Sequence, residues 1–363
     1  MPSTFVHFAG QGNVLGYRPP DTTGAIGPNH YVQAVNMQLA VYSRTGTLAA
    51  GFPKNINLLW AGLPASSLCK THNNGDPIAL YDRLADRFMV SQFALGSAGS
   101  NNAQCVAVSQ TNDPTGSWYA YQFDWGTKMN DYPHFGIWMD GYYMTVNQFS
   151  WSGSQWQGAG AGVAVFERDL MLAGDGGARM IKFDTQGISP IWQNLGGQLP
   201  ADLDGFDTPP PGTPGFVLQW DDSTWIGDPT DTLRIWEVEI DWGAGTGRMG
   251  LSGNYTPDHL LATADAVPLQ CEPGATGRGC LKQPGSPFPP PQRLAAIADG
   301  RFMYRIAYRW FGSHDALVAM NTVTGSAAYR AAPHWYEPRG LAAGAPYIRQ
   351  QGTYAPNSYH RRL

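Results

Sequence analysis

A chain of 363 residues with 14% charged side chains, 12% aromatics, 44 glycines and 28 prolines is too loop-rich and too sparsely charged for a helical protein. Its net charge is −5, and its only basic cluster is the terminal Tyr359-His360-Arg361-Arg362. That excludes the concentrated Lys/Arg face nucleic acid requires, and the lack of any apolar run of about 18 residues excludes a membrane-spanning helix.

The predicted elements are short strands. Thr4–Phe8 reads as the first. His30–Tyr42 (HYVQAVNMQLAVY) reads as two strands, ending at the turn Ser43-Arg44-Thr45-Gly46. Asp76–Phe93 (DPIALYDRLADRFMVSQF) gives a short inner segment, a turn and a strand, with Asp82 and Asp86 as turn formers. Cys105–Gln110 and Tyr119–Phe123 follow as strands. Asp131–Phe149 (DYPHFGIWMDGYYMTVNQF) repeats the Asp-headed design. Asp21, Asp76 and Asp131 are evenly spaced, 55 residues from each to the next. A hairpin unit at such a period predicts propeller blades.

Beyond the third unit the period loosens. Strands are expected at Gly162–Arg168, Ala178–Asp184, Phe216–Trp220 and Leu233–Trp242, the last with one apolar parity. Residues 243–291 read as an irregular Pro/Gly-rich insertion. Phe302–Tyr308, Ala316–Val323 and His334–Glu337 make a fifth unit. A sixth is read as opening near Gln350 and stopping at Leu363. The expectation is an all-β fold, a single β-propeller domain of five or six blades over 1–363, with its C-terminal strands missing if the sixth unit is real.

The segments GPNHYVQAVN (27–36), DPIALYDRLADRF (76–88), SQTNDPTGSWYAYQF (109–123), DYPHFGIWMDGYYMTVNQF (131–149) and MYRIAYRWFG (303–312) carry a resemblance. As a set they are similar to a group of secreted, mostly uncharacterised bacterial proteins of propeller-like design. More loosely, the chain resembles five-bladed glycoside hydrolases, which place acidic residues on the first strands of successive blades around a central cavity. The resemblance implies a polysaccharide or glycan partner and a secreted or cell-surface location, although MPSTFVHFAG lacks signal-peptide character.

Candidate chemistry follows the repeats. Asp21, Asp76 and Asp131 would converge at one end of the axis. There, mutual repulsion raises at least one pKa, which suits acid/base work on a glycosidic bond. The same trio offers the oxygen ligands of Ca²⁺, and each Asp also suits a plain turn cap. The looser resemblance implies a Glu proton donor. Glu337, in HWYEPR, is the candidate, with aromatic neighbours to raise its pKa and Arg339 as the competing partner. His30, His72 and His134 lie near repeat starts, where they would line the mouth of the channel. Trp138, Trp151 and Trp156 are candidates for stacking on sugar rings, against the alternative of packing between blades. A catalytic reading and a non-catalytic glycan- or surface-binding reading both remain open. Among the four cysteines, Cys271 and Cys280 bracket a Gly-rich loop and are expected to bond. Cys69 and Cys105 lie on either side of the second repeat and could pair there, and the alternative is that all four cysteines stay as reduced, mostly buried thiols.

Overall fold

The computed structural model describes residues 6–17, 19–186, 196–269, 300–328 and 330–355. The fold is all-β, built from four-stranded antiparallel meanders of the propeller-blade type. It divides into two compact units, residues 1–135 with 140–186, and residues 136–139 with 187–363.

The first unit carries three sheets. The first is β1 (Thr23–Ile26), β2 (His30–Val35), β3 (Gln38–Ser43) and β4 (Lys54–Asn55). The second is β5 (Ile78–Asp82), β6 (Arg87–Ala94), β7 (Asn102–Ser109) and β8 (Trp118–Gly126). The third is β9 (Met129–Ile137), β10 (Tyr142–Trp151), β11 (Trp156–Phe166) and β12 (Met180–Asp184). Every residue of β7 is buried, because the strand is covered on both faces. Its Ala103, Cys105 and Ala107 face a core shared with Val32, Val41 and Trp60, while the opposite parity carries Gln104 and Val106. Trp60 anchors the segment between the first two sheets by donating its indole N–H to the carbonyls of Tyr121 (3.0 Å) and Val106 (3.3 Å). Cys69, in the one-turn helix α1 (Leu68–Thr71), is disulfide-bonded to Cys105. The reduced-thiol alternative is thereby set aside for this pair; Cys271 and Cys280 lie outside the described residues.

Asp82 is a turn former, accepting from the Leu84 and Ala85 amides at 3.1 Å, but it does more. It is fully buried and takes a two-pronged ion pair from Arg168, the first residue of helix α2 (Arg168–Ala173), at 2.7 and 3.0 Å. The Tyr142 hydroxyl donates to it as well, at 3.0 Å. One carboxylate thus locks the second sheet to the third, with every strong partner satisfied.

In the second unit, β13 (Leu199–Leu203), β14 (Gly215–Asp221), β15 (Thr232–Asp241) and β16 (Thr246–Met249) form a fourth meander. The helix α3 (Ser223–Ile226) follows β14, and β17 (His259–Ala262) also pairs with β15. A fifth meander runs β18 (Ile306–Trp310), β19 (Asp315–Thr324), β20 (Ala331–Arg339) and β21 (Tyr347–Thr353). The two are joined through a parallel pairing of β13 with β18, Ala201 opposite Ile306 and Leu203 opposite Tyr308. Asp202 of β13 is buried, accepts from the Ile137 amide at 2.8 Å, and is ion-paired with Arg305.

Several expectations change. Residues 6–8 carry no strand. The stretch expected to be irregular from 243 contains β16 and β17, which extend the fourth sheet. Gln350, Gln351 and Gly352 do not begin a sixth unit: they pair with Glu337, Tyr336 and Trp335 as the outer strand of the fifth meander. Five meanders are therefore seen among the described residues. Gly136 shows how tightly the second unit packs. A Cβ there would sit 2.3 Å from the Ala201 carbonyl oxygen, a backbone atom that cannot swing away. Gly136→Ala is expected to cost about 1–3 kcal/mol. A urea midpoint equal to that of the parent would contradict this packing.

Candidate active site

Asp21 and Asp76 sit two residues before the first strands of the first two sheets, both with left-handed backbone, φ 44° and 46°. Asp tolerates this region better than most residues, and it turns the chain sharply into the strand. The third repeat departs from the equal spacing. Its left-handed residue is Tyr132 (φ 57°), which precedes Pro133 as Asp76 precedes Pro77. Asp131 lies one position earlier and already belongs to β9. The three aspartates are therefore not equivalent; the match of Asp-Pro to Tyr-Pro is the signal that spacing alone misses. A bulky side chain at positive φ is strained, and strain of this kind gathers at functional sites.

The three carboxylates still act on one another. Asp76 is half-buried, and its pKa is pushed up to about 7. Burial is the largest cause, followed by the negative charges of Asp21 and then Asp131. The backbone N–H of Tyr132, which donates to the Asp76 carboxylate, works in the opposite direction. The displaced register of the third repeat thus has a use: it aims the Tyr132 amide at Asp76. Local ties hold the group in place. The Asn36 amide donates to the Pro20 carbonyl at 2.9 Å, next to Asp21. The Ala79 amide donates to the Thr23 hydroxyl at 3.3 Å, fastening β5 to β1.

His134 flanks this group, with its ring 4.1 Å from that of Tyr132. Its Nδ1–H donates to the Tyr132 carbonyl at 3.1 Å, which leaves Nε2 as the acceptor nitrogen. Burial depresses its pKa to about 4, so the imidazole is neutral at pH 7. His72 caps the end of α1, its Nδ1 2.9 Å from the Thr71 hydroxyl. His30 does not join them. The β1–β2 turn puts it at the far end of the first sheet from Asp21, where its Nε2 lies 3.8 Å from Asp113.

Glu337 and Trp138 belong to the second unit. Burial works to raise the Glu337 pKa, but hydrogen bonds from Gln350 and Arg339 outweigh it and hold the carboxyl below its ordinary value. That is the reverse of what a proton donor needs, and the expected aromatic effect is not the one that prevails. Trp138 is 1% exposed and packed edge-on against Phe216 and Tyr308, with its N–H donated to the Thr213 carbonyl. It has no ring face to offer a sugar. Trp151 and Trp156, in contrast, are half-buried and pair across the tip of the β10–β11 hairpin. No three or more His, Cys, Asp or Glu side chains come together to hold a metal ion among the described residues.

No family model matches the chain, and no curated protein sequence matches it. Several solved structures are similar to it at low identity. A GH43 endo-arabinanase from Bacillus licheniformis is 10% identical over 90% of this chain and 96% of its own, with a TM-score of 0.38. An α-L-arabinanase from Penicillium chrysogenum, complexed with arabinobiose, is 8% identical over 94% and 95%, with a TM-score of 0.39. A neuraminidase-like protein of subtype N10, from influenza A of a little yellow-shouldered bat, is 10% identical over 92% of each chain, with a TM-score of 0.32. Similarity at this level assigns neither family nor activity. No helix among the described residues is long and apolar enough to cross a membrane.

Proposed function

We propose that the first unit carries the carboxylate centre of a polysaccharide-active glycoside hydrolase. The observation that carries this reading is Asp76, poised near neutrality by burial and by two neighbouring carboxylates. In its protonated form Asp76 is the general acid that gives its proton to the glycosidic oxygen. Asp21 and Asp131 are the ionised groups, one of them the base or nucleophile and the other a modulator of the Asp76 pKa. Tyr132 is a positioning residue through its backbone amide. His134, neutral and packed at a tilt against the Tyr132 ring, is a second positioning residue, holding Tyr132 through its bond to the Tyr132 carbonyl. Calcium has no part in this reading. The low charge and the buried Cys69–Cys105 bond favour an oxidising, extracellular setting.

A screen for reducing-sugar release from arabinan, xylan and glucan, with and without chelator, tests the proposal. Turnover of at least one polysaccharide, unaffected by chelator, is expected. Turnover lost with chelator would return the trio to the role of metal ligands. No turnover of any polysaccharide, with glycan binding intact, would favour a non-catalytic glycan-binding module, a reading supported by the half-buried Trp151–Trp156 pair at the hairpin tip.

A further inference from the structure

The carboxylates are not the only feature at their end of the first unit. Each meander starts its inner strand there, so the β6–β7 loop and the β10–β11 hairpin tip return to that same end. The Leu95 amide, at the start of the β6–β7 loop, donates to the side chain of Asn74, two residues before Asp76, at 2.9 Å. Farther along that loop Gly99 receives Trp151: a Cβ on Gly99 would lie 3.1 Å from the indole Cδ1. Trp156, directly across from Trp151, meets it edge-to-face with centroids 5.4 Å apart. Loop and hairpin thus form one continuous surface leading from Asp76 to a pair of half-buried indoles. Within the third sheet the tip lies one to two strand spacings, about 5–10 Å, outward of β9.

The chemistry of that surface is unusually uniform. Residues 95–101 of the loop and 151–157 of the hairpin tip contain no Asp, Glu, Lys, Arg or His. What the two tips expose besides the indoles is hydroxyl and amide: Ser100, Asn101, Ser154 and Gln157. The two tips themselves supply no counter-ion to a charged ligand, Lys128 beside the loop being already ion-paired with Asp184, and a purely apolar ligand would strand these polar groups. A chain of uncharged sugars satisfies both, with apolar ring faces for the indoles and hydroxyls for the amides. A hairpin that needed its tryptophans only for packing would not require the facing loop to be free of charge as well.

We propose that Trp151 and Trp156, backed by the β6–β7 loop, form an aromatic subsite for an uncharged glycan chain, outward of the carboxylate centre. Its place along a substrate rests on the hydrolase reading; its capacity to bind does not. The test is affinity electrophoresis of the whole protein in gels containing soluble xylan, mixed-linkage glucan or galactomannan, with polygalacturonate as the charged control. Intrinsic tryptophan fluorescence is followed in parallel. At least one neutral polysaccharide is expected to retard the protein and shift its fluorescence, and polygalacturonate is expected to do neither. Trp156→Ala is expected to weaken binding tenfold or more, and Trp156→Phe, which keeps a ring, to restore most of it at unchanged near-ultraviolet circular dichroism. Asp76→Asn is expected to bind as the parent does, so loss of turnover and loss of binding separate cleanly. Retardation by polygalacturonate alone, by no polysaccharide, or equally for parent and Trp156→Ala would overturn the proposal.

Discussion

Asp76→Asn is expected to lose about 10²- to 10⁴-fold of any hydrolytic rate while becoming more stable than the parent at alkaline pH. Both effects have one origin. Asn is close in shape to a protonated Asp but cannot give up a proton, so the acid is removed with little change in packing. The stability sign follows from the raised pKa of Asp76. Below about pH 4 the group is protonated in both folded and unfolded chains and contributes no difference. Between about pH 4 and about 7 the unfolded chain has released its proton and the folded chain still holds it, so the parent loses stability as pH rises. Above that window the folded chain carries three interacting carboxylates and the penalty is constant. Asn escapes it, by roughly 1–2 kcal/mol after allowing for solvent screening of a half-buried group. Urea titrations at pH 3.5 and pH 8 check this: the two proteins should coincide at the first and separate at the second. Identical midpoints at pH 8 would mean that Asp76 titrates as an ordinary carboxyl.

The trio illustrates what sequence carries and where it stops. Aspartates at equal intervals, each near the head of a β-rich stretch, mark where the first strand of each of three meanders falls, because a blade is a local object whose strands pair in chain order. The exact register is not local. Asp131 fits the interval, but the left-handed residue is Tyr132, one position later and directly before Pro133 as Asp76 is before Pro77. Partners set by tertiary contact are harder still. Glu337 was legible as a strand residue beside Arg339, yet its charge is set largely by Gln350 on the next strand. Reading Gln350 as the start of a new unit hid that partner. Trp138, two residues before Asp140-Gly141, is buried by Phe216 and Tyr308, residues that no pattern within the Asp131–Phe149 stretch reveals. His30 failed for a topological reason: a hairpin carries a residue near a repeat start to the opposite end of its sheet within a few positions.

The Cys69–Cys105 bond is expected to be the largest single covalent contribution to the stability of the first unit. It joins residues separated by 36 positions and closes a loop holding all of β5 and β6. Loop-closure entropy for that length corresponds to about 4 kcal/mol at 25 °C, and the double variant Cys69→Ala/Cys105→Ala is expected to lose about 2–4 kcal/mol. Complete unfolding is not expected, because α1 is also held without the sulfurs. The Ser67 hydroxyl and the Cys69 amide both donate to the Gln122 side chain, at 2.8 and 3.2 Å, and Trp60 stays pinned to β7 and β8. Both variants must be made together, since a lone buried thiol adds reactivity of its own. Two measurements check the outcome. Alkylation without reductant, followed by mass spectrometry, should find Cys69 and Cys105 unmodified in the parent. Urea unfolding should then show the double variant with a lower midpoint and a steeper dependence on denaturant, because its unfolded chain, freed of the crosslink, exposes more surface. A midpoint equal to the parent's would show that the hydrogen bonds to Gln122 and the Trp60 anchor hold this segment unaided.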